Sequence, residues 1–154
     1  MIDLRSDTLT LPSDAMKEKM LSVKLGDDVF GEDPTVNLLE QNTASMFGME
    51  SAIFCPSGTM TNQIAINIHT QPGDEVICSR ESHIYNYEGG GIAKNSGASV
   101  RLIERNNGLL KHEDVLNNIN QDDVHCPRTA LVALENTSKS DDSIHKPTHF
   151  AVIF

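Results

Sequence analysis

Ala52-Ile53-Phe54-Cys55-Pro56-Ser57-Gly58-Thr59-Met60-Thr61-Asn62 passes from a short apolar stretch through a Pro-Ser-Gly turn into residues with helical spacing. Read as strand, turn and helix, it sets the pattern for the rest of the chain. The helix runs from Thr59 to His69. After it come a strand from Glu75 to Cys78, a helical stretch near Ile84 to Lys94, and a strand from Ser99 to Ile103. A helix from Glu113 to Ile119 and an apolar strand from Ala130 to Leu134 follow. Strands alternating with helices of this length require crossover connections, so the expected class is α/β, a mainly parallel sheet with helices on both faces. Upstream, Ser13 reads as the N-cap of a short helix in which Ala15, Met16, Lys19 and Met20 recur at helical spacing. Thr35 reads as the cap of a second helix, with Val36, Leu39, Thr43, Met46 and Phe47 along one side and Gly48 as its stop.

A length of 154 residues accommodates one ordinary domain with a core. The formal charge of -10 argues against nucleic acid as a partner, because sequence-independent affinity for it comes from clustered Lys and Arg. Cys55, Cys78 and Cys126 are odd in number and widely spaced, which fits a reducing cytoplasm better than a disulfide framework. The N-terminus lacks a basic region followed by an apolar stretch, and no segment approaches a membrane span, so a cytoplasmic protein with no membrane partner is expected. His145 and His149 have ligand spacing, but Pro147 opposes a helix between them and no third ligand offers itself, so no metal is expected. The acidic loop Asp27 to Pro34 lacks the ligand spacing of a calcium loop and reads as a solvated or subunit-contact loop.

Pro56 to Asn62 sits between strand and helix, where backbone N–H groups and the helix dipole favour a bound phosphate. An ordinary turn whose hydroxyls only cap the helix is the plain alternative. The stretch Glu81-Ser82-His83-Ile84-Tyr85-Asn86-Tyr87-Glu88-Gly89-Gly90-Gly91 directly follows a strand. In open α/β sheets ligands bind beyond the carboxyl ends of strands, so His83 and the phosphate-like turn are expected to face one crevice. An imidazole there can lie flat on a planar cofactor and act as a general base. A hydrogen-bonded structural histidine is the alternative, and the glycine triplet serves either a site or close backbone packing. Glu135-Asn136-Thr137 closes the last apolar strand, again at a carboxyl end.

Several segments together resemble the low-specificity L-threonine aldolases, in the β-eliminating lyase group of fold-type I pyridoxal-phosphate enzymes. They are Asp3 to Thr8, Gly26 to Thr35, Pro56 to Met60, Gly73 to Val76, Ser82 to Tyr85 with Glu88-Gly89-Gly90, and Leu134 to Thr137, in the family's order. The phosphate turn alone is shared with aminotransferases and cystathionine lyases; the first two segments point to the aldolase group. The resemblance implies pyridoxal 5′-phosphate as cofactor, with its phosphate on Gly58 and Thr59. It implies that His83 stacks on the pyridine ring and serves as base, and that Glu135 belongs to the cofactor-binding set. Ser6 would bind the carboxylate of a small β-hydroxy amino acid, and Tyr87 and Glu88 line the same region. The implied reaction is reversible cleavage of threonine or allo-threonine to glycine and acetaldehyde, in a homo-tetramer with sites formed between subunits.

Phe30 stands where the family usually has tyrosine. The resemblance covers residues 1–137, the expected N-terminal part of a cofactor-binding large domain, and leaves 138–154 as a divergent tail. The family's Asp-Gly-Ala-Arg segment and the segment bearing its cofactor-attaching lysine are not found, and none of the seven lysines stands in that context. The expectation is therefore a truncated chain, inactive by itself. A noncatalytic binding or assembly module and a frameshifted gene fragment are the alternatives.

Overall fold

The computed structural model describes residues 7–105 and 108–135. The chain divides into two compact units, Met1–Phe54 and Cys55–Phe154.

In the first unit a 3-10 turn, Asp7–Leu9, precedes helices α1 (Asp14–Ser22) and α2 (Pro34–Phe47). Ser13 caps α1 as expected, its hydroxyl accepting from the Met16 N–H at 3.3 Å. The cap of α2 is Asp33 rather than Thr35: its carboxylate accepts from the N–H groups of Thr35 and Val36 at 2.9 and 3.1 Å. Pro34 occupies the first helical turn, where its missing N–H costs nothing, and this places the cap one residue before it. The same carboxylate accepts from Gly26 at 3.1 Å, closing the acidic loop on itself. These backbone donors, that of Val36 foremost, hold the Asp33 carboxyl below its usual range. Gly48 ends α2 in the left-handed region at φ 64°. Residues 52–55, expected as a strand, have no ladder partner among the described residues; the Phe54 N–H donates to the Glu40 side chain at 2.7 Å instead.

The second unit carries the alternation. Helix α3 (Gly58–His69) leads to strand β1 (Glu75–Ser79), short helices α4 (His83–Asn86) and α5 (Gly91–Ser96), and strand β2 (Ser99–Ile103). Helix α6 (His112–Leu116) and strand β3 (Thr129–Val132) complete it. The helical stretch expected near Ile84 to Lys94 is thus two helices, because Gly89 and Gly90 adopt φ 62° and 70°, a left-handed geometry that a helix cannot continue through. All strands are parallel, in the order β2-β1-β3, with Ile77 opposite Arg101 on one side and Val132 on the other.

Every residue of β1 is buried, and the two-residue period of a strand sends successive side chains to opposite layers. Val76 packs with Ile66 of α3, Ile92 of α5, Ala98 and Leu131. Ile77 packs with Ile103, Val132 and, from α6, Val115. The sheet is therefore covered on both faces, as a parallel sheet requires. Ion pairs close its amino-terminal edge. Arg128 grips Asp74 bidentately at 3.1 and 2.6 Å, and Arg101 and Asn120 both bond Glu75, at 2.7 and 3.0 Å. No described helix is long and apolar enough to cross a membrane.

Replacing the fully buried Ile77 by Ala is expected to destabilise the fold by about 2–5 kcal/mol, read as a lowered denaturation midpoint with an unchanged slope. The Arg128 guanidinium holds the Asp74 carboxyl below its ordinary value of 3.8. A carboxyl depressed in the folded state contributes stability above its unfolded pKa and loses that contribution as pH falls through the folded value. Arg128→Met should therefore lower stability at neutral pH and lose less of it on acidification below about pH 4. A melt series in which wild type and variant show the same acid dependence would refute the pairing.

Candidate active site

Ser57 caps α3 with extended backbone, its hydroxyl accepting from the Met60 N–H at 3.1 Å. Gly58 and Thr59 are the first two residues of the helix, where backbone N–H groups have no acceptor within the helix itself. A Cβ placed on Gly58 would meet no atom within 4 Å, so open space lies directly beside these donors. An anion fits there on charge and on room, because the helix dipole and the free N–H groups converge on it. A depression of about 490 Å³ runs along the same helix, lined by Ser57, Thr59, Gln63 and Asn95 among others, and does not include His83.

His83 opens α4, just beyond the carboxyl end of β1. Its backbone N–H donates to the Glu135 carboxylate at 2.6 Å, which ties it to the segment following β3. Its Nδ1 lies 2.9 Å from Glu88 Oε1. The imidazole is 37% exposed, whereas the Glu88 side chain has no exposed surface at all. Asn62 and Gln63 of α3 also reach this carboxylate, their amide nitrogens at 2.7 Å from Oε1 and 2.6 Å from Oε2. Asn95 in turn donates to the Gln63 carbonyl at 3.3 Å. Gly91 makes room for this contact: a Cβ there would lie 2.4 Å from the Gln63 side chain. The glycine triplet thus has two uses, turn geometry at Gly89 and Gly90 and close approach at Gly91.

Tyr87 places its ring 5.4 Å from that of His83, tilted by 46°. The pair forms a partly exposed aromatic face at the carboxyl end of the sheet. Cys78 of β1 is buried, and burial pushes its thiol up to about 11 in spite of a hydrogen bond with Ser82. At neutral pH it is an inert thiol rather than a nucleophile.

His83, Tyr87 and Glu135 follow the carboxyl ends of β1 and β3, and Asn62 and Glu88 link the turn at Gly58 and Thr59 to the imidazole. Ser6, Asn136, Thr137, His145 and His149 lie outside the described residues. Gln63 and Asn95 were not among the expected site residues, and Asn62 was expected only as the end of the phosphate-turn stretch. Two adjacent amides within a helix are weak evidence by themselves, and only their common contact with Glu88 gives them a role.

A family model described as Beta-eliminating lyase matches residues 3–142. The chain is 45% identical over 138 residues to the low specificity L-threonine aldolase of Escherichia coli (strain K12), covering 89% of this chain and 41% of that protein. It is 43% identical over 139 residues to the low specificity L-threonine aldolase of Saccharomyces cerevisiae, covering 88% and 36%. With low-specificity L-threonine aldolase 1 of Arabidopsis thaliana the identity is 41% over 140 residues, covering 88% and 39%. The chain thus spans about two fifths of the length of these relatives. With a parallel sheet covered on both faces, the chain belongs to the beta-eliminating lyase family, of fold type I.

Proposed function

We propose that these residues form the phosphate-holding and proton-accepting part of a pyridoxal-phosphate lyase that cleaves L-threonine or L-allo-threonine to glycine and acetaldehyde. One observation carries the reading: a single helix, α3, presents open N–H donors at Gly58 and Thr59 and, one turn on, holds the Glu88 carboxylate that engages His83. When bound, the cofactor supplies an electron-withdrawing ring that stabilises the carbanion left by carbon–carbon cleavage. Gly58 and Thr59 bind its phosphate, and the His83 imidazole covers the ring face. The same imidazole takes the β-hydroxyl proton, directly or through a water. Glu135 fixes the start of α4 through the His83 N–H and so sets where that ring begins. Tyr87 lines the substrate side. Assembly as a tetramer belongs to the same proposal. The relatives that carry the name threonine aldolase support the substrate class.

None of the seven lysines stands where the family attaches its cofactor. The residues given these roles therefore hold pyridoxal phosphate without covalent attachment.

Binding is tested by titrating the chain with pyridoxal 5′-phosphate and with pyridoxal, following cofactor absorbance. The phosphate ester should bind tighter by about tenfold or more, equivalent to about 1.4 kcal/mol. Gly58→Ala should abolish that preference by filling the open space, while leaving thermal stability unchanged or slightly higher, since Ala is the better helix residue. Equal affinity for the two compounds would end the phosphate assignment. Acetaldehyde release from L-allo-threonine should be no faster with the chain than with free cofactor. Turnover at the rate of a full-length relative would show that the lysine argument is wrong.

A further inference from the structure

The Glu88 carboxylate is an unusual object in this fold: a side chain with no exposed surface and no described Lys or Arg against it. A buried carboxylate is tolerated only when its lone pairs are filled, and here Asn62, Gln63 and His83 fill them. Both amides turn their NH₂ groups to it, and Gln63 is held in that orientation because its carbonyl accepts from Asn95. A carboxylate surrounded in this way has nothing to donate. Beside an ionised carboxylate the facing ring nitrogen of His83 is the donor.

We propose that Glu88 is a positioning residue that fixes His83 as the Nδ1–H tautomer, leaving Nε2 as the atom that accepts the substrate's hydroxyl proton. The inference rests on the reading of His83 as base and deepens it by naming the atom. In the neutral imidazole one nitrogen donates and the other accepts, so a donor bond at Nδ1 sets the lone pair on Nε2. No described residue hydrogen-bonds Nε2, and the ring is partly exposed, so that lone pair is available to a ligand. After the hydroxyl proton has moved to Nε2 both nitrogens carry hydrogen, and Glu88 faces the resulting cation at ion-pair distance. This is the division of labour by which a buried carboxylate orients a catalytic histidine without itself taking the proton. Because Asn62 and Gln63 belong to the helix that begins at Gly58, the imidazole and the phosphate turn are held by one rigid element.

The test is long-range ¹H–¹⁵N correlation NMR on the 154-residue chain, at a pH above the His83 midpoint read from the same resonances. The expected spectrum has Nδ1 protonated and Nε2 bare, with a preference of about tenfold or more, as a bond to a charged acceptor supplies. Glu88→Gln should reduce that preference to near unity or reverse it while leaving the amide resonances of Val76 and Ile77 in place. A dominant Nε2–H form in the unaltered chain overturns the proposal, and this measurement decides even if Glu88→Gln does not fold. Adding pyridoxal 5′-phosphate separates the two levels of the argument. If the His83 ring resonances move but Nε2–H dominates, the cofactor-face reading stands and the role of Glu88 falls. If the ring resonances do not move, the cofactor-face reading falls and Glu88 loses its positioning role with it.

Discussion

Strand β1 is hydrogen-bonded to a parallel neighbour on each edge and buried on each face, so the residues from Glu75 to Ser79 have no solvent to fall back on. Parallel neighbours cannot be joined by tight turns, which obliges the chain to cross over through helices, and those helices supply the layers that bury Val76 on one side and Ile77 on the other. The same topology decides where chemistry can occur. All carboxyl ends of the strands point one way, and the connections leaving them bring Ser82 to Glu88 and Glu135 to that end of the sheet. At the opposite end, Asp74 and Glu75 are consumed by Arg128, Arg101 and Asn120 in joining the strands.

The polar interior is organised as economically as the apolar one. Glu88, Gln63 and Asp114 are all withdrawn from solvent, and each is met by specific donors; among the described residues no buried side-chain polar atom lacks a partner. Asp114 takes the Lys111 N–H at the start of α6 and the Arg105 guanidinium, which lowers its carboxyl. Its role ends with capping a helix and holding the segment after β2. Glu88 differs because one of its partners is His83, whose other ring nitrogen has no hydrogen-bond partner among the described residues. The positioning role proposed for Glu88 rests on that single difference.

Three elements differ from their reading in the sequence, each for its own reason. Residues 52–55 have the composition of a strand, but strand formation requires a neighbour with free backbone groups, and the Phe54 N–H finds the Glu40 side chain instead. The stretch from Ile84 to Lys94 has helical content at both ends, and the break lies at Gly89 and Gly90, whose left-handed conformation directly follows the buried Glu88. Asp33 was overlooked as a cap because Thr35 satisfies the same preference two residues later; Pro34 at the helix start settles the choice.

Periodicity and turn chemistry by themselves determined the α/β class, the boundaries of β2, and the caps at Ser13 and Gly48, because each is a local preference expressed within a few residues. Motif order also determined the family, and with it the expectation that Gly58, Thr59 and His83 act together. What only the tertiary structure decided is the environment of those residues. Asn62 and Gln63 are 26 and 25 residues from Glu88 in the chain, and Glu135 is 52 from His83, so no window of sequence contains the pairs. Hydrogen bonds of that kind depend on which way a crossover helix rolls against its sheet, and that follows from the packing of Ile66 and Ile92 on Val76 rather than from any property of the polar residues themselves.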